Sequence, residues 1–373
     1  SKEGELNVDK FSFFMPTKMI FGQDVVKEAG AGLALGNKAL IVTGRSSARL
    51  SGALGDVLSV LPGEHVIFDQ VENNPSIETV IKGGRLAKEE GCDYVLAIGG
   101  GSPLDAAKVM AVLAVNDAHP LDLYQNRWKN RALPIVAIPT TAGTGSEVTQ
   151  YAVLTIAEEE TKRGLGGPDL FPQVAYLDPK YTESLPLDVT IDTAVDALSH
   201  LVESYLSQRA TAASDLLALQ GIALWGTTVP ALRQKAVDKD TRSALLLASS
   251  LGGIAIAQTG TTLVHALGYS LTYYDGLPHG RANAVCMKAY LEYTRTVAAE
   301  RVDTVLELLE LPSLGAFGDL VDELFAGYAG TLQLSADRIE RYATKAMQTN
   351  NIKNSLGNPS VEELTKILRT SIM

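Results

Sequence analysis

Cysteine is nearly missing from this chain. Of 373 residues only Cys92 and Cys286 are cysteines, which excludes a disulfide framework and fits a reducing compartment. Positive charge is also in deficit. The 32 Lys and Arg residues against 43 Asp and Glu leave a formal net charge of -11, which argues against a nucleic-acid or anionic-membrane partner. No apolar run reaches the roughly 18–20 residues of a membrane span. The longest, over residues 244–257, is interrupted by Ser249, Ser250, Gly252 and Gly253 and reads as a buried helix. The N-terminal segment SKEGELNVDK has no apolar core of the signal-peptide kind. Internal repeats and low-complexity stretches are missing too, as are the GxGxxG and Walker patterns of nucleotide-binding loops. The expectation is a soluble cytoplasmic protein that acts on a small molecule.

What is present divides at about residue 183. In residues 1–183 short apolar runs alternate with amphipathic ones. Strands are expected over Lys18 to Phe21, Lys38 to Thr43, His65 to Phe68, Tyr94 to Ile98 and Pro134 to Ile138, with further strands over Tyr151 to Ile156 and Gln173 to Leu177. Helices are expected over Val25 to Leu35, Ser51 to Leu61, Ile77 to Glu90 and Pro103 to Val115. Such alternation predicts a mainly parallel sheet with helices on both faces. After Asp178-Pro179 the strand patterns stop. Residues 184–373 read as an all-helical domain, with helices over Val189 to Leu206, Ala212 to Trp225, Thr241 to Gln258, Asn283 to Leu309, Leu314 to Tyr328, Ser335 to Gln348 and Val361 to Thr370.

Two segments of the α/β half suit phosphate and ribose oxygens. The first is Gly99-Gly100-Gly101-Ser102-Pro103-Leu104-Asp105, a strand running into glycines and then a helix. Glycines let a phosphate reach the backbone, and a helix start offers free N–H groups. Here Ser102 is expected to cap the helix, Pro103 to occupy its first position and Asp105 to close the cap. The second is Thr140-Thr141-Ala-Gly143-Thr144-Gly145-Ser146, dense in hydroxyls. The plain alternatives are a tight turn and a structurally bonded loop. A third position is the end of the Lys38 strand. Dinucleotide sites that choose NAD place an acid there to accept from the ribose 2′-OH. Gly44, Arg45 and Ser46 stand there instead, which favours NADP over NAD.

Three of the five histidines cluster in the helical half. His200 follows Asp196 by four residues, so both face one point from one side of a helix. His265 and His279 lie further on, in apolar, Gly-rich surroundings. Singly, each reads as a buried histidine or a helix cap. Jointly, one carboxylate and three imidazoles suit iron, zinc, nickel or manganese. His65 and His119 lie in the α/β half and read as structural or exposed.

With these motifs in place the chain resembles the iron-containing (group III) alcohol dehydrogenase family, which shares its fold with glycerol dehydrogenase and dehydroquinate synthase. The resemblance runs end to end, through Phe21-Gly22, Gly99 to Lys108, Pro139 to Glu147, Leu177-Asp178-Pro179, Asp196 to Glu203 and Pro278-His279-Gly280. It implies a metal-dependent NAD(P)-linked oxidoreductase for small alcohols and aldehydes, and a homodimer. It implies that Asp196, His200, His265 and His279 hold the metal, iron first. Gly99, Gly100, Gly101 and Ser102 would hold the pyrophosphate, with Asp105, Thr140, Thr141, Thr144, Thr149 and Lys162 lining the cofactor site. Two departures stand out. Many members carry a further histidine where this chain has Tyr269, so the proton is expected to leave through water, a ribose hydroxyl or the Tyr269 hydroxyl, and many carry an Asp where Gly44 stands. The C-terminal Asn-Pro-Arg of many members is reduced to Asn358-Pro359-Ser360. Alternatives of the same fold are a glycerol dehydrogenase, a maleylacetate reductase and, further off, a dehydroquinate synthase-like lyase. The lyase would need cations near the metal, where only Arg281 and Lys288 are close in sequence.

Overall fold

A computed structural model describes residues 10–125, 128–327 and 332–372. The chain divides into two compact units, one spanning Met15–Pro186 and one containing Leu187–Met373. The segment just before Met15 groups with the second unit. There the Gln258 side chain donates to the Phe14 carbonyl (2.9 Å) and accepts from its N–H (3.1 Å).

The first unit is built on a six-stranded parallel sheet. Its strands are β1 (Lys18–Phe21), β2 (Lys38–Gly44), β3 (Glu64–Val71), β4 (Tyr94–Gly99), β5 (Ile135–Pro139) and, after two others, β8 (Val174–Leu177). Spatial order is β1-β8-β5-β4-β2-β3. The intervening β6 (Tyr151–Ile156) and β7 (Thr161–Gly166) form a separate antiparallel hairpin, and β7 carried no sequence expectation. Alternate residues of the central strands enter two cores, as the period of a strand requires. Leu40, Val42, Val95, Ala97 and Ala137 face one side, with Val80, Ala87, Val109 and Met110. Ala39, Ile41, Leu96, Ile98 and Ile138 face the other, with Val26, Val57 and Tyr181. Both faces are covered, hence the unbroken apolar runs.

The helices of this unit are α1 (Val25–Ala29), α2 (Ser47–Leu50), α3 (Ala53–Val60), α4 (Ile77–Glu89) and α5 (Gly101–Leu113). Two expectations are corrected. The helix expected over Val25 to Leu35 is α-helical only to Ala29 and tightens to a 3-10 turn over Gly30–Leu33, where two glycines weaken it. The helix expected over Ser51 to Leu61 is α3, which begins only at Ala53 because Gly52 takes a left-handed conformation (φ 84°), and the short α2 before it was not anticipated.

From β2 the chain passes to β3 on one side, and β4 lies on the other. The carboxyl ends of β2 and β4 therefore flank a topological switch point, where open α/β sheets bind ligands. Gly44 ends β2 and Gly99 ends β4.

The second unit is all-helical among its described residues. It contains α6 (Leu187–Tyr205), α7 (Ala212–Gly226), α8 (Val229–Arg233), α9 (Lys239–Thr259), α10 (Leu263–Asp275), α11 (His279–Arg295), α12 (Ala299–Leu308), α13 (Leu314–Phe325), α14 (Ala336–Met347) and α15 (Val361–Ile372). The helix expected over Asn283 to Leu309 is really two, α11 and α12, and α10 was not anticipated as a separate helix. Gly260 (φ 69°) ends α9, and Gly276 (φ 67°) caps α10 in the left-handed region. The chain bends by 110° between α9 and α10, and no single described helix is long and apolar enough to cross a membrane. α6 runs through the middle, buried from Ala194 to Tyr205 and packed by α7, α9 and α11.

Candidate metal centre

Three helices deliver four donor side chains to one point. α6 supplies Asp196 and His200, one turn apart. α10 supplies His265 from its first turn, and α11 supplies His279 as its first residue. Pro278 is the N-cap residue of α11, and only Leu277 and Pro278 separate His279 from the Gly276 that caps α10. Close helix approach does the rest. A Cβ on Gly280 would fall 1.7 Å from the Asp192 carbonyl oxygen, and one on Gly268 would fall 2.3 Å from Asn283 Oδ1. Only glycine lets α11 sit this near both α6 and α10.

The ligand atoms all lie within 4.8 Å of one another. His200 Nε2 and His265 Nε2 are 3.0 Å apart. Asp196 Oδ1 is 3.4 Å from His279 Nε2 and 3.7 Å from the Nε2 atoms of His200 and His265. Donors placed about 2.1 Å from a tetrahedral cation are about 3.4 Å from each other. The spacings bracket that value, so the donor set fits a divalent transition metal in size as well as chemistry. Asp196, His200 and His265 are buried, and His279 is partly exposed, leaving one side of the cluster open. Burial opposes the charge on Asp196, but His200, His279, His265 and the Asn283 amide together hold its carboxyl below the ordinary range.

Two supporting residues carried no functional expectation. Glu203, fully buried on α6, accepts from His265 Nδ1 at 2.5 Å. Asn283 on α11 is fully buried and donates to Asp196 Oδ1 at 3.0 Å, with His265 Nε2 and His279 Nε2 at 3.2 and 3.4 Å. Its Oδ1 finds no hydrogen-bond partner among the described residues. The available signal was spacing. Glu203 lies seven residues after Asp196 and Asn283 four after His279, both on the ligand-bearing helix faces. Tyr269 is buried beside the cluster, stacked on His279 with ring centroids 6.4 Å apart and an interplanar angle of 17°. The cations close to the ligands in sequence have carboxylate partners. Arg281 pairs with Asp192 (3.2 Å) and Lys288 lies 3.8 Å from Glu292. Burial raises the Asp192 carboxyl to about 6, against the pull of Arg281.

In the α/β unit the two candidate loops touch. Cβ atoms on Gly100 and Gly101 would meet the side chains of Thr141 and Thr144 at 3.2 and 2.5 Å. The loops after β4 and β5 thus lie against each other at the carboxyl edge, and the Thr140 N–H donates to the Gly99 carbonyl (2.9 Å). The buried Thr140 hydroxyl finds no hydrogen-bond partner among the described residues. Gly44 belongs to the same region: a Cβ there would meet Val71 O at 3.5 Å and Pro103 Cγ at 3.7 Å. Arg45 and Ser46 beside it are exposed.

The helix cap is not as expected. Gly100, not Ser102, is the N-cap residue of α5, and Pro103 is its third residue. Three glycines let the helix start early, and the Ser102 hydroxyl accepts from the Asn74 N–H (3.1 Å) instead. Asp105 turns away from the cap, accepting from the Ser146 hydroxyl (2.6 Å) and the Val153 N–H (2.9 Å). Ser146 also accepts from Lys108, which reaches Thr149 Oγ1 (3.1 Å) and the Tyr151 carbonyl (2.7 Å). Lys108 is wholly buried, and burial lowers its ammonium to about 8. Asp105 and Thr149 are thus tied into a network that joins α5 to the second loop. Lys162, buried on β7, acts on Asp105 through its charge.

Known proteins share this architecture throughout. Residues 16–179 match the family model for iron-containing alcohol dehydrogenase, and residues 190–372 match that for the Fe-containing alcohol dehydrogenase family, C-terminal. A choline dehydrogenase of Bacillus subtilis is 33% identical over 95% of this chain and 92% of its own. An NAD-dependent methanol dehydrogenase of Bacillus methanolicus is 34% identical over 80% of each. The crystal structure of an iron-containing alcohol dehydrogenase from Thermotoga maritima superposes with a TM-score of 0.90, at 38% identity, over 97% of this chain and 99% of that one.

Proposed function

The chain belongs to the iron-containing alcohol dehydrogenase family and is an oxidoreductase of that class, and from that premise we propose that Asp196, His200, His265 and His279 hold its divalent cation. The observation that carries the assignment is the donor geometry, one carboxylate and three imidazoles at cation-binding spacing. Iron is the first candidate, with zinc, nickel and manganese compatible with the same donors. The substrate is a small primary alcohol in one direction and its aldehyde in the other.

The cation supplies Lewis acidity toward the substrate oxygen, and the nicotinamide supplies hydride exchange with the carbinol carbon. The chain's own residues set the stage for both. Asp196 keeps its negative charge in the cluster and would offset the charge of the cation, which His200, His265 and His279 would hold as neutral imidazoles. Asn283 fixes the Asp196 carboxylate from the side. The Tyr269 hydroxyl holds or passes the proton released on alcohol oxidation, in place of the histidine many relatives use.

For the cofactor, Gly99, Gly100, Gly101 and Ser102 present the start of α5 to a pyrophosphate, and Thr140, Thr141 and Thr144 contribute hydroxyls from the adjoining loop. NADP is preferred over NAD, because β2 ends in Gly44 with Arg45 and Ser46 beside it and no acid to repel a 2′-phosphate. A cytoplasmic homodimer completes the proposal, and the two buried free cysteines suit a reducing compartment.

The test strips the protein with a chelator and restores iron, zinc, manganese or nickel singly. Each form is assayed with NADPH or NADH against short aldehydes, alcohols and diols. Activity should return at one metal per chain and be higher with NADPH. Full activity at well below one metal per chain sinks the metal assignment. An unchanged pH–rate profile in Tyr269→Phe removes the relay role.

A further inference from the structure

Glu203 occupies an unusual position. It sits on α6 one turn beyond His200, with no exposed surface, yet bonds almost entirely to α10. Its Oε1 accepts from the Thr262 N–H (2.9 Å), the Thr262 hydroxyl (2.9 Å) and the His265 N–H (3.3 Å). Its Oε2 accepts from His265 Nδ1 at 2.5 Å. Thr262 is the N-cap residue of α10 but makes no cap bond with its own side chain. The carboxylate from α6 therefore takes the place of the missing cap, meeting free N–H groups and the positive end of the α10 dipole.

The same carboxylate decides which ring nitrogen of His265 carries the proton. An ionised carboxylate only accepts, so Nδ1 must be the N–H. In the neutral ring Nε2 then bears a lone pair, and it points at His200 Nε2, 3.0 Å away, in the donor cluster. We propose that Glu203 is a positioning residue that locks His265 in the Nδ1–H tautomer and, through the α10 cap, sets the His265 lone pair at the metal. The proposal rests on reading the cluster as a metal site. It adds that α6 controls the ligand on α10 as well as carrying two of its own.

Glu203→Gln separates this from simple packing, because the amide is nearly isosteric. If its oxygen keeps the three donors of Thr262 and His265, its NH2 faces Nδ1. The ring proton must then move to Nε2, where it blocks ligation. If the amide turns over, the NH2 faces three donors. Neither arrangement preserves both functions.

The experiment measures zinc affinity of the full chain by competition with a chromophoric chelator, together with the 15N shifts of His265 in the metal-free protein. Wild type should show the Nδ1–H tautomer. Glu203→Gln should bind zinc about 10–100-fold more weakly, the usual effect of losing an outer-shell partner, and shift His265 toward Nε2–H. Thr262→Val, which removes one hydroxyl donor and leaves the Nδ1 contact, should keep zinc affinity within about three-fold of wild type, a minor part of that outer-shell effect. Unchanged zinc affinity in Glu203→Gln with an Nδ1–H ring overturns the proposal. So does an Nε2–H ring in metal-free wild type, a result that needs no variant to fold. Failure of wild type to bind zinc, or full affinity in His200→Ala, would instead overturn the metal-site reading, while the tautomer measurement still judges the role of Glu203.

Discussion

In the helical unit the candidate chemistry is carried by side-chain atoms, whereas in the α/β unit it is carried by backbone amides and by space that glycine leaves open. Asp196, His200, His265 and His279 each offer one donor atom to the cluster. Around Gly99 to Ser102 the charged groups turn inward: Asp105 and Lys108 bond to Ser146, Thr149, Tyr151 and Val153. A side-chain site fails when one atom is removed. A backbone site fails when an atom is added or its framework loosens. The two regions should therefore respond to opposite kinds of substitution, and independently.

The largest effect belongs to the helical unit. His200→Ala removes a ligand and leaves a buried Asp196 with fewer compensating partners. Metal content should fall well below one per chain. Turnover should drop by about three orders of magnitude, the several kcal/mol that metal catalysis provides. Nucleotide affinity, measured by fluorescence titration with NADPH, should stay near wild type. Loss of nucleotide binding alongside the metal would break the separation.

Gly101→Ala is the converse, since it adds an atom. The new Cβ would lie 2.5 Å from Thr144 Cγ2, forcing the two loops apart. Overpacking of this kind costs about 1–3 kcal/mol, so NADPH should bind roughly ten-fold or more weakly. Metal content should not change.

This asymmetry also governs what was legible before the fold was known. The four donors were readable because metal chemistry selects residue types, and a histidine-poor chain makes a cluster of three conspicuous. The parallel sheet was readable from unbroken apolar runs such as Lys38 to Thr43. The cap of α5 was misjudged because hydroxyl-before-proline is a local rule, while Ser102 is claimed by Asn74 from another loop. Glu203 closes the resembling segment Asp196 to Glu203 but was given no role, for a similar reason. Its partners, Thr262 and His265, lie about sixty residues away, at the start of a helix that was not anticipated as a separate element although the helix before it was expected to end at Gln258. Residue-type signals survive ignorance of the fold. Bonds between distant segments do not.

Lys108 sharpens the comparison at the level of framework. It donates three hydrogen bonds to groups of the second loop and β6, and its ammonium has a pKa of about 8 because burial opposes the charge. Asp105 and Glu147 act against that shift. Above pH 8 the folded protein releases this proton, while the unfolded chain keeps it to an ordinary lysine value of about 10.5. The contribution of this group to folding stability is thus least favourable below pH 8 and rises with pH between about 8 and 10.5. The neutral amine has only two N–H donors for three acceptors, so the loops loosen as stability is gained. The KM for NADPH should rise a few-fold, roughly one lost hydrogen bond, across pH 7 to 9 with an inflection near 8. Lys108→Met should have a higher KM at pH 7 and no inflection. An inflection that persists in the variant assigns it to another group.

The smallest effect tests the point where the backbone site acquires a side-chain feature. Gly44 ends β2 at the switch point, and an added Cβ there meets nothing closer than 3.5 Å, so Gly44→Asp carries no steric penalty comparable to that at Gly101. Whatever it changes is therefore electrostatic. A carboxylate at this strand end would repel the 2′-phosphate of NADP and accept from the 2′-OH of NAD. The ratio of kcat/KM for NADPH over NADH should fall roughly ten-fold, about 1.4 kcal/mol of charge interaction at a partly solvated position. Metal content and turnover at saturating cofactor should be unaltered. A ratio that does not move would place the ribose away from β2 and remove the argument for NADP, while leaving the glycine-rich turn after β4 as the pyrophosphate site.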